Sequence, residues 1–257
     1  MKGSKIILTA IAVLAMFSSC QKAFDFSMVP SDPATGTPSG SQFYKVKTYT
    51  EDYAALSGHT IITYNLSYDS KDRIKSLIST SNEGDKFVYN YDSANTFTVD
   101  IYNSNKVSIH SIYFINSLSL VDSSLQYNDT RDTTTEKYFY NSEKQLVRRN
   151  MYAFGEEVGS VIETTHSFSY DGNGNMLKDS TNGNVISYDY YLDLPNSLTF
   201  NQPYSTANKN LVKTTTSVQG GETYILNHTY TFDDLKRLTS EKVAGNNGEV
   251  VVKRYTY

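Results

Sequence analysis

The sequence predicts an all-β fold: an antiparallel meander of repeated β-hairpins, curled or closed into a barrel- or sandwich-like body around aromatic rings. Three observations carry this. An aromatic residue followed by Asp or Asn recurs along the chain, with an apolar residue six positions after each aromatic. Apolar and polar residues alternate around each recurrence, the period of a strand with one wet face. After Ser41 only Pro195 and Pro203 remain, and no 12-residue stretch carries helical periodicity, so little interrupts a hydrogen-bonded sheet.

The N-terminus comes first and lies outside that body. Lys2 and Lys5 precede an apolar run from Ile6 to Phe17, then Ser18, Ser19 and the sole cysteine, Cys20. Basic start, short apolar run and small residues are the order of a secretion signal, and the run is too short to span a bilayer comfortably. The cysteine behind it resembles the lipobox of bacterial lipoproteins, which implies lipidation of Cys20 after removal of residues 1–19. That cut takes away two lysines and no acid, moving the net charge from −4 to −6. A body of that charge does not seek anionic lipid, so acyl chains would hold it at the membrane. With one cysteine there is no intrachain disulfide. Residues 20–42 carry Pro30, Pro33, Pro38, Gly36 and Gly40 among Ser, Thr and Asp, the composition of a flexible linker.

Residues 43–257 are the β-repeat domain. Aligned on the aromatic that ends each strand, Tyr68-Asp69 leads to Ile74, Tyr91-Asp92 to Phe97, Tyr140-Asn141 to Leu146, Tyr170-Asp171 to Met176 and Phe232-Asp233 to Leu238. Ile115-Asn116 with Val121 is a degenerate copy. Two residues before the full anchors stand Leu66, Tyr89, Tyr138, Phe168 and Tyr230, on the same sheet face as the anchors. The Asp or Asn bonds its own turn backbone and tolerates left-handed geometry. Asn182-Gly183, Gly220-Gly221 and Asn247-Gly248 mark further hairpins. A sheet with one greasy face must roll up or pair. Pro195 and Pro203 bracket a non-repeating connection, Asp193 to Asn210, read as either functional or a cover over an open end.

The turns SYDGNGNMLKDS and TFDDLKRLTSE resemble the YD repeats of Rhs and teneurin proteins. With the lipobox, the tether and YLDLPNSLTF, the chain is similar to uncharacterised lipoproteins of Bacteroides-type bacteria. The resemblance implies a curved β-shell and an outer-membrane lipoprotein of the cell envelope, facing either the periplasm or the surface. It implies no single activity.

Candidate chemistry is sparse. Asp171, Asn173 and Asn175 have the spacing that opens a calcium loop, but Met176 and Asn182 stand where Gly and Glu would be required, so a hairpin turn is the better reading. His166 and His228 hold equivalent places, four before their anchors, which reads as repeat packing rather than a metal site. His59 and His110 are isolated. No nucleophile elbow, zinc-protease or phosphate-loop motif occurs, and carboxylates such as Glu156, Glu157, Asp189 and Asp193 read as solvated turn charges. The chain is therefore expected to be no enzyme and to need no cofactor or metal. Its charge pattern argues against nucleic acid. The remaining candidate is a ligand-binding cluster, Tyr188, Tyr190, Tyr191 and Asp193, whose rings would stack on sugars if exposed. Three functions stand side by side: a lipid-anchored module binding a glycan or an envelope protein, a structural envelope component, and a glycan-acting enzyme with an unrecognised site.

Overall fold

A computed structural model describes residues 45–55, 58–91, 93–129, 133–154, 161–198 and 208–257. The leader, Cys20, the linker, Asp92, Glu156, Glu157 and Pro203 lie outside the described residues. The strands are β1 (Thr48–Ala55), β2 (Gly58–Tyr68), β3 (Ile74–Ser79), β4 (Lys86–Asn90), β5 (Thr96–Asn103), β6 (Lys106–Ile115), β7 (Val121–Asn128) and β8 (Thr133–Tyr140). They continue as β9 (Leu146–Phe154), β10 (Val161–Tyr170), β11 (Met176–Thr181), β12 (Asn184–Pro195), β13 (Asn210–Gln219), β14 (Glu222–Phe232), β15 (Leu238–Gly245) and β16 (Val250–Thr256). Each pairs antiparallel with the next, and β1 pairs with β16 from Thr48↔Thr256 to Ala54↔Val250, closing a 16-stranded barrel. Between curling and closure the chain takes closure, which leaves no unpaired edge.

The turns form as the sequence predicts, and the degenerate copy is a full one. Asp69, Asn116, Asn141, Asp171 and Asp233 each accept from the amides two and four residues ahead through Oδ1. The residue three positions after each is left-handed: Asp72, Ser119, Lys144, Gly174 and Lys236 have φ of 64°, 60°, 62°, 88° and 58°. One residue is doubled behind each turn, so a bulge follows at Lys75, Asp122, Val147, Leu177 and Thr239.

The bulge puts the apolar residue six after the anchor on the inner face. Ile74, Val121, Leu146, Met176 and Leu238 are 4%, 3%, 1%, 1% and 0% exposed. They floor one end of the barrel, with Val46 and Phe97. Tyrosine hydroxyls tie this floor to the wall: Tyr68 donates to the Val46 carbonyl, Tyr170 to Leu146, Tyr190 to Met176, Tyr230 to Val212 and Tyr257 to Leu238, at 2.6–2.9 Å. Phe168 and Tyr170 are half-buried as expected. Phe232 is not: its ring is 38% exposed at the rim. It has no hydroxyl to take a carbonyl, and Tyr230 occupies that role two residues earlier.

The described ends of the β12–β13 connection pack onto the floored end. Leu198 is 1% exposed and packs with Leu211 and Leu238. Asn208 Oδ1 accepts from the Met176 amide at 2.7 Å, and Asn210 N donates to Asn175 Oδ1 at 3.0 Å. Residues 199–207 of this connection lie outside the described residues.

Candidate functional site

The two faces of the wall have opposite chemistry. Outward stand Thr48, Thr50, Asp52, Thr63, Asn65 and Ser67 on β1 and β2, and Asn227, Thr229 and Thr231 on β14, opposite in phase to the buried positions. Neighbouring hydroxyls bond across strands, as in Thr48 with Thr256 (2.6 Å), Thr50 with Thr63 (2.9 Å), Ser67 with Ser76 (2.7 Å) and Thr231 with Ser240 (2.7 Å). Asp52 pairs with His59 and, at 3.1 Å, with Arg254, while Asp100 meets His110 at 2.5 Å. Outward apolar side chains such as Ile61, Phe114, Tyr127 and Ile225 are interspersed among these polar groups.

Inward, above the floor, three units place polar partners at two fixed positions: four before the anchor and nine after it. The bulge is what brings these two positions to one face of adjacent strands. Glu136 faces Arg149 at 3.7 Å, His166 Nδ1 meets Asp179 at 3.0 Å, and His228 Nδ1 meets Glu241 at 2.8 Å. In the units at 68 and 115 the same pairs of positions hold Tyr64 with Leu77 and Ser111 with Ser124. His166 on β10 and His228 on β14 are four strands apart, roughly 19 Å at the usual strand spacing, so the repeat keeps them separate and gives each an acid. No group of three or more metal-ligating side chains converges among the described residues.

The densest cluster among the described residues spans β1 and β13 to β16. Glu51 is fully buried and accepts from the hydroxyls of Tyr49 and Tyr53. Lys253 lies 3.1 Å from Glu241 Oε2, and Thr215 bonds the far nitrogen of His228 at 3.0 Å. The two carboxyls diverge. Burial pushes Glu51 up, a trend that Lys253, Tyr49 and Tyr53 only partly offset. Burial acts on Glu241 the same way, but Lys253 and His228 outweigh it and hold its carboxyl at about 2. Glu241 is not readable as inward from the sequence because the bulge at Thr239 shifts the phase of its strand, and Glu51 and Lys253 join it only through the β1–β16 pairing that closes the barrel.

The sequence-selected tyrosines are dispersed rather than ranked in a row. Tyr188 is buried in the wall beside Met176 and Val212. Tyr190 reaches back to the Met176 carbonyl at 2.6 Å, and Tyr191 reaches forward to the His228 carbonyl at 3.1 Å. Asp189 and Asp193 are exposed.

A cleft of about 420 Å³ opens elsewhere, at the β3–β4 seam, lined by Tyr68, Asp69, Ser70, Arg73, Lys75, Tyr89, Asn90 and Tyr91. The sequence could not place it, because it forms where two strands fail to pair along their length.

No protein-family model matches the chain, and no curated protein matches it. Solved structures share the fold, among them two porin-like proteins. A porin-like protein from Bacteroides uniformis superposes with a TM-score of 0.62 at 11% identity, over 84% of this chain and 98% of its own. A porin-like protein from Bacteroides vulgatus does so with a TM-score of 0.59 at 12% identity, over 82% of this chain and 98% of its own. The chain is thus similar in architecture to porin-like β-barrels of Bacteroides.

Proposed function

We propose that this is an envelope protein held at the outer membrane by a lipid on Cys20, whose barrel sits in water and serves as a binding or interaction module. The observation that carries the reading is the polarity of the wall. A barrel that spans a bilayer shows lipid an apolar band about 25 Å tall between aromatic girdles, around a polar lumen. Here rings and aliphatic side chains fill the floored end, and the outer face presents paired Thr and Ser hydroxyls and ion pairs. Burying those groups in hydrocarbon would be costly. The signal order ahead of Cys20 supports the tether, and the turn chemistry supports a YD-type repeat as the source of the shell.

The test compares full chains in a host that processes lipoproteins. Wild type is expected to take up a clickable palmitate and to sediment with outer membranes. Cys20→Ala is expected in the soluble periplasm without detergent. A Cys20→Ala protein that stays in membranes through carbonate extraction, or that conducts ions across planar bilayers, would overturn the water-facing barrel.

A further inference from the structure

The seam between β3 and β4 is the least paired place in the wall. Only Ser76, Leu77 and Ile78 face partners, against Val88, Phe87 and Lys86. Tyr89 and Asn90 pair only on their other side, with Val99 and Thr98 of β5. Where the strands part, the cleft opens, and its volume falls in the range of small-ligand sites, about 300–1,000 Å³.

Its lining is chemically specific. Asp69 takes the Arg73 guanidinium at 2.7 Å through Nε and 2.6 Å through Nη2. The guanidinium carbon lies 3.9 Å from the centre of the Tyr91 ring, so Arg73 is neutralised and fixed. The Tyr68 hydroxyl is held by the Val46 carbonyl. Burial pushes the Tyr89 phenol up to about 12. Lys75 is the doubled residue of the bulge, which re-aims its side chain. It is exposed, and it forms no ion pair among the described residues. The cleft therefore combines phenol rings, a fixed ion pair and one positive charge that meets no carboxylate among the described residues.

We propose that this seam cleft binds an acidic carbohydrate, a pyranose bearing a carboxylate. The sugar ring packs against Tyr68 and Tyr89, Tyr91 being covered by the Arg73 guanidinium, and the carboxylate meets Lys75. Phenol surfaces suit the C–H faces of a sugar, and a charge-assisted bond to the ammonium separates acidic sugars from neutral ones. This rests on the reading of the barrel as a binding module.

The experiment is calorimetric titration of the full chain carrying Cys20→Ala with a trimer of galacturonic acid and, separately, a trimer of galactose. The acidic trimer is expected to bind and the neutral one to bind at least about tenfold more weakly. Lys75→Ala is expected to weaken the acidic trimer about tenfold or more, and Lys75→Arg to restore most of it, with unchanged circular dichroism. Absence of binding by either trimer, equal binding of both, or acidic binding untouched by Lys75→Ala would overturn the proposal. None of those results would move the Cys20→Ala fractionation, so failure of the cleft and failure of the water-facing barrel are read separately.

Discussion

Glu51 and Glu241 each sit one strand from the same lysine, and although burial raises both, their carboxyls end shifted in opposite directions. Glu241 has Lys253 at 3.1 Å and His228 at 2.8 Å, whereas Glu51 has two phenol donors. The depressed Glu241 carboxyl contributes stability that is present above its ordinary value near 4.5 and lost as pH falls toward about 2. The turn acids Asp69, Asp171 and Asp233 are also depressed and add to the same acid window, even though burial alone would raise them. The raised Glu51 works the other way, its contribution fading as pH rises above its ordinary value. Glu241→Gln is expected to cost about 3–5 kcal/mol near pH 7, because it leaves Lys253 and His228 without their carboxylate. Glu51→Gln is expected to be neutral or stabilising there, since an amide keeps acceptor and bulk and removes a desolvated charge. Urea unfolding of both variants across the acid range measures the pair of effects; similar losses from the two would refute the asymmetry. At this scale the sequence was legible in the turns and dumb in the wall. Asp171 announces its own turn by local chemistry. Glu241 is identifiable as an inward residue only after the bulge at Thr239 is known.

The hairpin is the repeating element, and its design is visible in the string because both its signals are local. The apolar residue six after the anchor survives even in the Ile115 copy, where isoleucine replaces the aromatic and Val121 is buried like the rest. The exception, Phe232, shows what the aromatic is for. Where the anchor is Tyr68 or Tyr170, a hydroxyl seats the ring against a carbonyl; the phenylalanine has none and stays at the rim. Tyr170→Phe is accordingly expected to cost about 1 kcal/mol by chemical denaturation, the scale of one lost hydrogen bond. Lys144 holds a left-handed backbone that glycine holds at position 174 of the matching turn. Lys144→Gly is expected to be neutral or to stabilise by up to about 1 kcal/mol, whereas a β-branched replacement there would destabilise. The β12–β13 connection was legible as an interruption but not as packing on the floor, because Leu198 declares its burial only through Leu211 and Leu238. Leu198→Ala is expected to lower stability by about 2–5 kcal/mol, and an unchanged denaturation midpoint would remove the connection from the core.

For the whole molecule, closure was the feature the sequence left open. Alternation and turn spacing are the same for a curled meander and for a sealed ring; the difference lies in one pairing between residues some 200 positions apart, such as Thr48 and Thr256. Polarity of the two faces was legible from the same alternation. Hydrogen exchange provides a check on the wall as a unit. Amides around the three-pair β3–β4 seam are expected to exchange faster than those of the seven-pair β1–β16 closure. The reverse order would make the terminal pairing, not the cleft, the weak place.

That closing pairing has a consequence for how the chain is made. Fifteen of the sixteen strand pairings join neighbours in sequence, so hairpins can zip up one after another as the polypeptide emerges. The sixteenth must wait for the last strand. Until it arrives, the flank of β1 that will receive β16 is an open template, available to a second nascent copy or to an assembly factor. Loss of Val250–Tyr257 would freeze the protein in that state, and its expected product is a sticky, domain-exchanging oligomer rather than a smaller monomer.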